Sequence, residues 1–85
     1  MQHNIDYILN NKLNLLQTIL ETDVYYINNI LIINDNNLLK VKCDLLRFFY
    51  DKDIIALQLS DCKGLINYVI NNIYVCNNKI IIPIA

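Results

Sequence analysis

The side chains able to act as nucleophiles or bases are few. There is one histidine (His3), one serine (Ser60) and three cysteines, Cys43, Cys62 and Cys76. Nucleophilic catalysis needs such a group activated by a neighbouring base. His3 lies in a terminal segment, where chains are poorly ordered, and Ser60 stands at an expected helix start. No spacing joins His3 to Cys62 or Cys76. The reading is a frayed histidine, a helix cap and buried thiols.

Metal and phosphate chemistry fare no better. Three cysteines and a histidine match the ligand count of a zinc site, but no pair has C-x₂₋₄-C spacing. Cys43 and Cys62 read as core-facing positions. Asp51 and Asp53 open an acidic turn, yet Ile55 replaces the next ligand and no Gly or closing Glu follows, as a calcium loop requires. Asp44, Asp51 and Asp53 are the candidates for a two-carboxylate mechanism. They fall at turns or on a wet strand face, without the desolvation that shifts a pKa. Gly64 is the one glycine, so there is no glycine-rich phosphate loop. The expectation is a protein that is not an enzyme and uses no cofactor or metal.

The elements that would carry these residues follow from periodicity. From Asn4 to Glu21 the apolar residues Ile5, Ile8, Leu9, Leu13, Leu16, Ile19 and Leu20 recur every three or four positions, one face of an amphipathic helix. Asn4 caps its start and Asp6 sits in the first turn. Lys12 falls awkwardly within the stripe, where its stem would have to snorkel. Val24–Ile27 and Ile30–Ile33 then read as strands joined by Asn28-Asn29, a tight hairpin turn, because asparagine tolerates left-handed backbone. The turn Asn34–Asn37 follows. Leu39, Val41, Cys43 and Leu45 alternate with Lys40, Lys42 and Asp44, which predicts a half-buried strand. Residues 46–50 fit either a continuing strand or a helical turn. Asp51–Asp53 reads as a turn, and Ile55, Leu57 and Leu59 as a further strand. Ser60 or Asp61 then caps a second helix near 61–71, with Cys62, Leu65, Ile66, Val69 and Ile70 on one face and Asn71-Asn72 at its end. Ile73–Cys76 and Lys79–Ile84 form a C-terminal hairpin about Asn77-Asn78. Pro83 belongs near the end of an edge strand, since it has no N–H for a ladder.

The fold class expected is therefore α+β: a small antiparallel sheet with an N-terminal amphipathic helix, a second helix near 61–71 and a C-terminal hairpin, in one domain over 1–85. No clear internal repeat is visible.

Composition narrows the setting. Of 85 residues, 55% are apolar with tyrosine counted, and isoleucine, leucine and asparagine dominate. Such usage accompanies A/T-rich coding, common in small viral or phage reading frames. The net charge of −1 is neither the basic surplus of a general nucleic-acid binder nor the dense acidity of a nucleic-acid mimic. An odd, widely spaced cysteine set does not suit a small secreted domain. The first residues, MQHNIDY, lack the basic start and apolar centre of a secretory signal, and no apolar run reaches membrane-helix length. A cytoplasmic setting is expected, the host cytoplasm if the chain is viral, with no membrane partner.

Binding remains. Tyrosine is favoured at interfaces, and both faces of Val24–Ile33 are apolar. Either the helices cover both faces of the sheet, or one face stays bare and meets a partner or a second copy. The reading is a protein-interaction module, a small subunit of a larger assembly or an inhibitor of another protein, with Tyr25, Tyr26, Tyr50 and Tyr74 as contact residues. The alternative is a nucleic-acid-associated factor using Lys40, Lys42 and Arg47 on a sheet face beside Tyr50 or Tyr74.

Overall fold

A computed structural model describes residues 4–57 and 63–84. Among the described residues, five helices and four strands appear in the order α1 (Asn4–Asn11), α2 (Leu13–Leu20), β1 (Val24–Ile27), β2 (Ile30–Ile33), α3 (Leu38–Phe49), α4 (Lys52–Ile55), α5 (Lys63–Asn71), β3 (Tyr74–Cys76) and β4 (Lys79–Pro83). The chain is a small α+β domain with N-terminal helices and a C-terminal antiparallel hairpin.

The N-terminal helix is two helices. A continuous helix would set Lys12 in line with Ile5, Ile8 and Leu16, all buried. Instead the backbone turns at Lys12 (φ −123°, ψ 25°) and the side chain stays half-exposed. Main-chain bonding still threads the break, from Lys12 N–H to Ile8 O at 2.8 Å and from Leu16 N–H to Lys12 O at 3.2 Å. The Asn10-Asn11 pair just before it has low helix propensity, and Asn11 Nδ2 donates back to Tyr7 O at 2.8 Å. α2 ends at Glu21, held in the left-handed region at φ 57°.

Both Asn-Asn hairpins form as expected. Asn28 and Asn29 have φ of 53° and 63°, and Asn77 and Asn78 have 52° and 62°. Two consecutive positive φ values make the type I′ turn that matches the twist of two-residue hairpins. Each turn closes on its flanking pair, Ile27 with Ile30 and Cys76 with Lys79.

The expected strand over Leu39–Leu45 is instead the middle of helix α3. The side chain of Asn37 accepts the Lys40 N–H at 3.1 Å and caps it. Alternation and helical spacing coexist in this stretch. Leu38, Val41, Leu45 and Phe48 recur every three or four residues, and burying Val41, Leu45, Phe48 and Phe49, with Leu38 partly covered, outweighs the alternation. Residues 46–50, open between strand and helix, complete α3 and its C-terminal cap. Asp51 is the N-cap of the one-turn helix α4, its side chain accepting the Asp53 N–H at 2.9 Å. The expected strand from Ile55 therefore fails over 55–57, and its remainder lies outside the described residues. So does the expected cap at Ser60 or Asp61. α5 agrees with the helix expected near 61–71, with Ile66 and Val69 buried.

The sheet has the order β1-β2-β4-β3, antiparallel throughout. β4, expected at an edge, is an interior strand. Pro83 is tolerated because β3 stops opposite Ile81. The Ile84 N–H donates to Asn29 O at 2.9 Å, so by alternation the missing N–H of Pro83 points to the other side, beyond the end of β3. There the Pro83 carbonyl accepts from Asn72 Nδ2 at 3.3 Å.

The two hairpins are related by an approximate two-fold axis. Matching turn to turn sets Leu31, Ile32 and Ile33 on Ile80, Ile81 and Ile82. The register Leu31↔Ile82, Ile32↔Ile81, Ile33↔Ile80 is unchanged by that exchange. A helix precedes each hairpin, and each helix–strand connection bonds to the end of the second strand: Thr22 Oγ1 to Asn34 O at 2.8 Å, and Asn72 to Pro83 O.

One core unites the layers. Val24, Leu31, Ile33, Ile80 and Ile82 point inward from the sheet and share a cluster with Ile5, Ile8, Leu9, Leu16, Leu20, Val41, Leu45, Phe48, Phe49, Ile54, Ile66 and Val69. Phe48 and Phe49 meet edge to face, with centroids 5.2 Å apart.

Candidate interaction surface

The sheet has one face on the helices. Its other face carries a row that crosses all four strands, Tyr25–Ile32–Ile81–Tyr74, set by the register of the three ladders. Above it, toward the Asn28-Asn29 turn, lie Ile27, Ile30 and Pro83. Below it lie Lys79 and Cys76. None of these residues belongs to the core cluster. Tyr25, Tyr74 and Ile27 are 49%, 50% and 56% exposed, and Ile30 and Cys76 are exposed too. Of the two arrangements left open by the sequence, the described residues show the one with a bare sheet face.

The lower margin is polar. The Asn34 N–H donates to Asp23 O at 3.0 Å, so this pair extends the β1–β2 ladder one step, and strand alternation sets both exposed residues on the outer face. Continuing the β2–β4 register by one step sets Asn34 beside Lys79. The outer face is thus apolar in two rows and bounded by one row containing Asp23, Asn34, Lys79 and Cys76.

Two of the four tyrosines singled out in the sequence come together here, Tyr25 and Tyr74. Tyr26 points the other way, half-buried on the helix side, where its hydroxyl donates to Asp6 and lies 3.4 Å from Asn29 Oδ1. Burial, and then the Asp6 carboxylate, push that phenol above its ordinary pKa. Tyr50 closes α3 and sits elsewhere, at the end of an exposed stripe with Leu39, Cys43 and Leu46. This stripe was hidden in the sequence because alternation pointed to a strand with Cys43 inward. In a helix, positions 39, 43, 46 and 50 share one side, opposite Val41, Leu45 and Phe48. Cys43 and Cys76 are therefore exposed rather than buried thiols, while Cys62 lies outside the described residues.

Lys40, Lys42 and Arg47 are on α3 and not on a sheet. Asp44 holds two of them, Lys40 Nζ at 3.1 Å and Arg47 at 3.2 Å. Lys40 also meets Asp35 at 3.6 Å and donates to Leu20 O at 3.3 Å, closing the end of α2. Its pKa is raised, chiefly by the hydrogen bond to Asp44. Asp35 is held below the ordinary carboxylate range, first by the Asn37 N–H at 2.9 Å. Lys40 and Arg47 are thus held by local carboxylates and, for Lys40, a helix end.

Among the described residues no three His, Cys, Asp or Glu side chains converge as metal ligands, and no helix is long and apolar enough to cross a membrane. The chain matches no known family model, curated protein or solved structure.

Ile27, Ile30, Ile32, Ile81 and Pro83 were not among the contact residues expected from sequence. The signal for them was present in the apolar character of both strand faces over 24–33 and in the unbroken Ile80–Ile82 run. Which of the two faces the helices would cover was not written there.

Proposed function

We propose that the chain is a non-enzymatic protein-interaction module, a small subunit of an assembly or an inhibitor of another protein. It works by presenting the outer sheet face to a protein. The observation that carries this reading is the uncovered row Tyr25–Ile32–Ile81–Tyr74 with Ile27 and Ile30 beside it. Contiguous apolar surface of this kind is costly to leave in water, and it marks binding sites in soluble domains. Tyrosines at its two ends supply large, rigid contact area with a polar tip. Inhibition or assembly would then be steric, through occupation of the partner's complementary surface.

The test is a pull-down of tagged chain from lysate of its source or host, with and without nuclease, beside the double variant Tyr25→Ser/Tyr74→Ser. The expected result is one stoichiometric protein, the chain itself included, that survives nuclease and is lost in the variant. Recovery that vanishes with nuclease, or that ignores the variant, overturns the reading.

A further inference from the structure

We infer that the occupant of the outer sheet face is a second copy of this chain, stacked face to face about a two-fold axis running along the strands. The inference rests on the reading of that face as an interaction surface and names its partner. Three observations carry it.

The first is row matching. A two-fold axis along the strands exchanges left and right across the sheet and leaves each row at its own height. Tyr25 then lies over Tyr74 of the second copy, and Ile32 over Ile81 of the second copy. Ile30 lies over the second copy's Pro83. Apolar rows meet apolar rows. An axis across the strands through the Tyr25–Tyr74 row would instead lay Ile27 on Asp23, Ile30 on Asn34 and Pro83 on Lys79, which buries polar groups against hydrocarbon. Of the two stackings centred on that row, the face favours the one along the strands, an aligned sheet sandwich.

The second is charge. The same exchange brings Lys79 over Asn34 of the second copy, with Asp23 one strand further on, about 4.8 Å away. The margin carries one cation and one carboxylate, and the stacking sets them against each other twice. A strongly acidic or basic partner has no comparable match on this face.

The third is area. Tyr25, Tyr74, Ile27 and Ile30 are 49%, 50%, 56% and 37% exposed, and with the half-buried Ile32, Ile81 and Pro83 they offer several hundred Å² of contiguous surface, the same order as the ~800 Å² per partner of a standard-size interface. The approximate internal two-fold through the Ile32–Ile81 pair means that the stacked pair would have nearly the symmetry of four equivalent hairpins.

The test is sedimentation of the full chain across the micromolar range, with circular dichroism to verify the fold of each variant. Wild type is expected to move from 10.0 kDa toward twice that mass as concentration rises. Ile81→Asp, outside the core cluster, should leave a folded monomer. Lys79→Asp should weaken the dimer at least about tenfold, and Asp23→Lys added to it should restore most of that loss. Leu46→Asp, on the separate α3 stripe, should change nothing. A wild-type monomer throughout, or a dimer lost in Leu46→Asp and kept in Ile81→Asp, overturns the inference. If the chain is monomeric and still captures another protein that Tyr25→Ser/Tyr74→Ser releases, the second-copy assignment falls while the interaction reading stands. If the monomer captures nothing through this face, both fall.

Discussion

Ile32 and Ile81 face each other across the β2–β4 ladder, and the approximate two-fold of the sheet passes between them. Each is flanked by neighbours that point the opposite way: Leu31 and Ile33 on one strand, Ile80 and Ile82 on the other, all fully buried. One isoleucine run therefore serves two purposes. Alternate residues build the core, and the residue between them stands on the open face. Their energetic roles should separate cleanly.

Ile33→Ala should cost about 2–4 kcal/mol, because it removes a fully buried side chain and leaves a cavity. Ile32→Ala, one residue away, should cost less than about 1.5 kcal/mol in a monomeric sample, since its side chain is only partly covered. Urea denaturation at low protein concentration reads both. Equal losses would mean that the outer face is covered in solution by the chain itself.

The turns should respond to backbone chemistry rather than side-chain size. Asn28 and Asn29 both hold positive φ, a region that costs alanine about 1 kcal/mol and glycine nothing steric. Asn29→Ala should lower stability by about 1 kcal/mol, whereas Asn29→Gly should be neutral within about 0.5 kcal/mol. Thermal melts of the pair decide it. Asn78→Ala and Asn78→Gly, at the matching place of the second hairpin, should behave alike.

The pH profile should fall at both ends. The Tyr26 phenol and the Lys40 ammonium are both raised in the folded state. Their stabilising contribution is complete below their unfolded values, about 10 for each, and is lost as pH rises through the folded ones. Asp35 is depressed, so its contribution is present above its unfolded value of about 3.9 and is lost as pH falls through the folded one. Tyr26→Phe should flatten the alkaline limb. Asp35→Asn should flatten the acid limb and, because Asp35 is one of the carboxylates beside Lys40, also lessen the alkaline one. Stability curves in urea from pH 3 to 11 would measure both limbs, and an alkaline limb unchanged in Tyr26→Phe would count against a phenol raised by its burial and by the Asp6 carboxylate. The exposed Lys40 pairs should contribute little, at most about 1 kcal/mol.

The hairpins were legible because their signal is local. Asn-Asn between apolar runs specifies a left-handed two-residue turn whatever surrounds it, and both turns form where the sequence places them. The amphipathic N-terminal stretch was legible as helix but not as two, because the break at Lys12 answers to a tertiary demand, keeping a cation out of a stripe that the rest of the fold buries. Residues 39–45 were not legible as helix, for the opposite reason. Their alternation is genuine, yet Leu38, Val41, Leu45 and Phe48 also share a helical side, and a short window satisfies both periods.

By itself, then, the sequence determined the α+β class, the helix near 61–71, the hairpin turns and the apolar character of both sheet faces, all properties of nearest neighbours along the chain. Tertiary structure alone decided the rest: that α3 is a helix, that β4 is interior, that Lys40 and Arg47 close on Asp44, and that Tyr25 and Tyr74, 49 residues apart in number, end one row. The physical reason is burial. A chain this short can bury one face of its sheet, and which residues reach water is settled only when all the helices have been packed on the other.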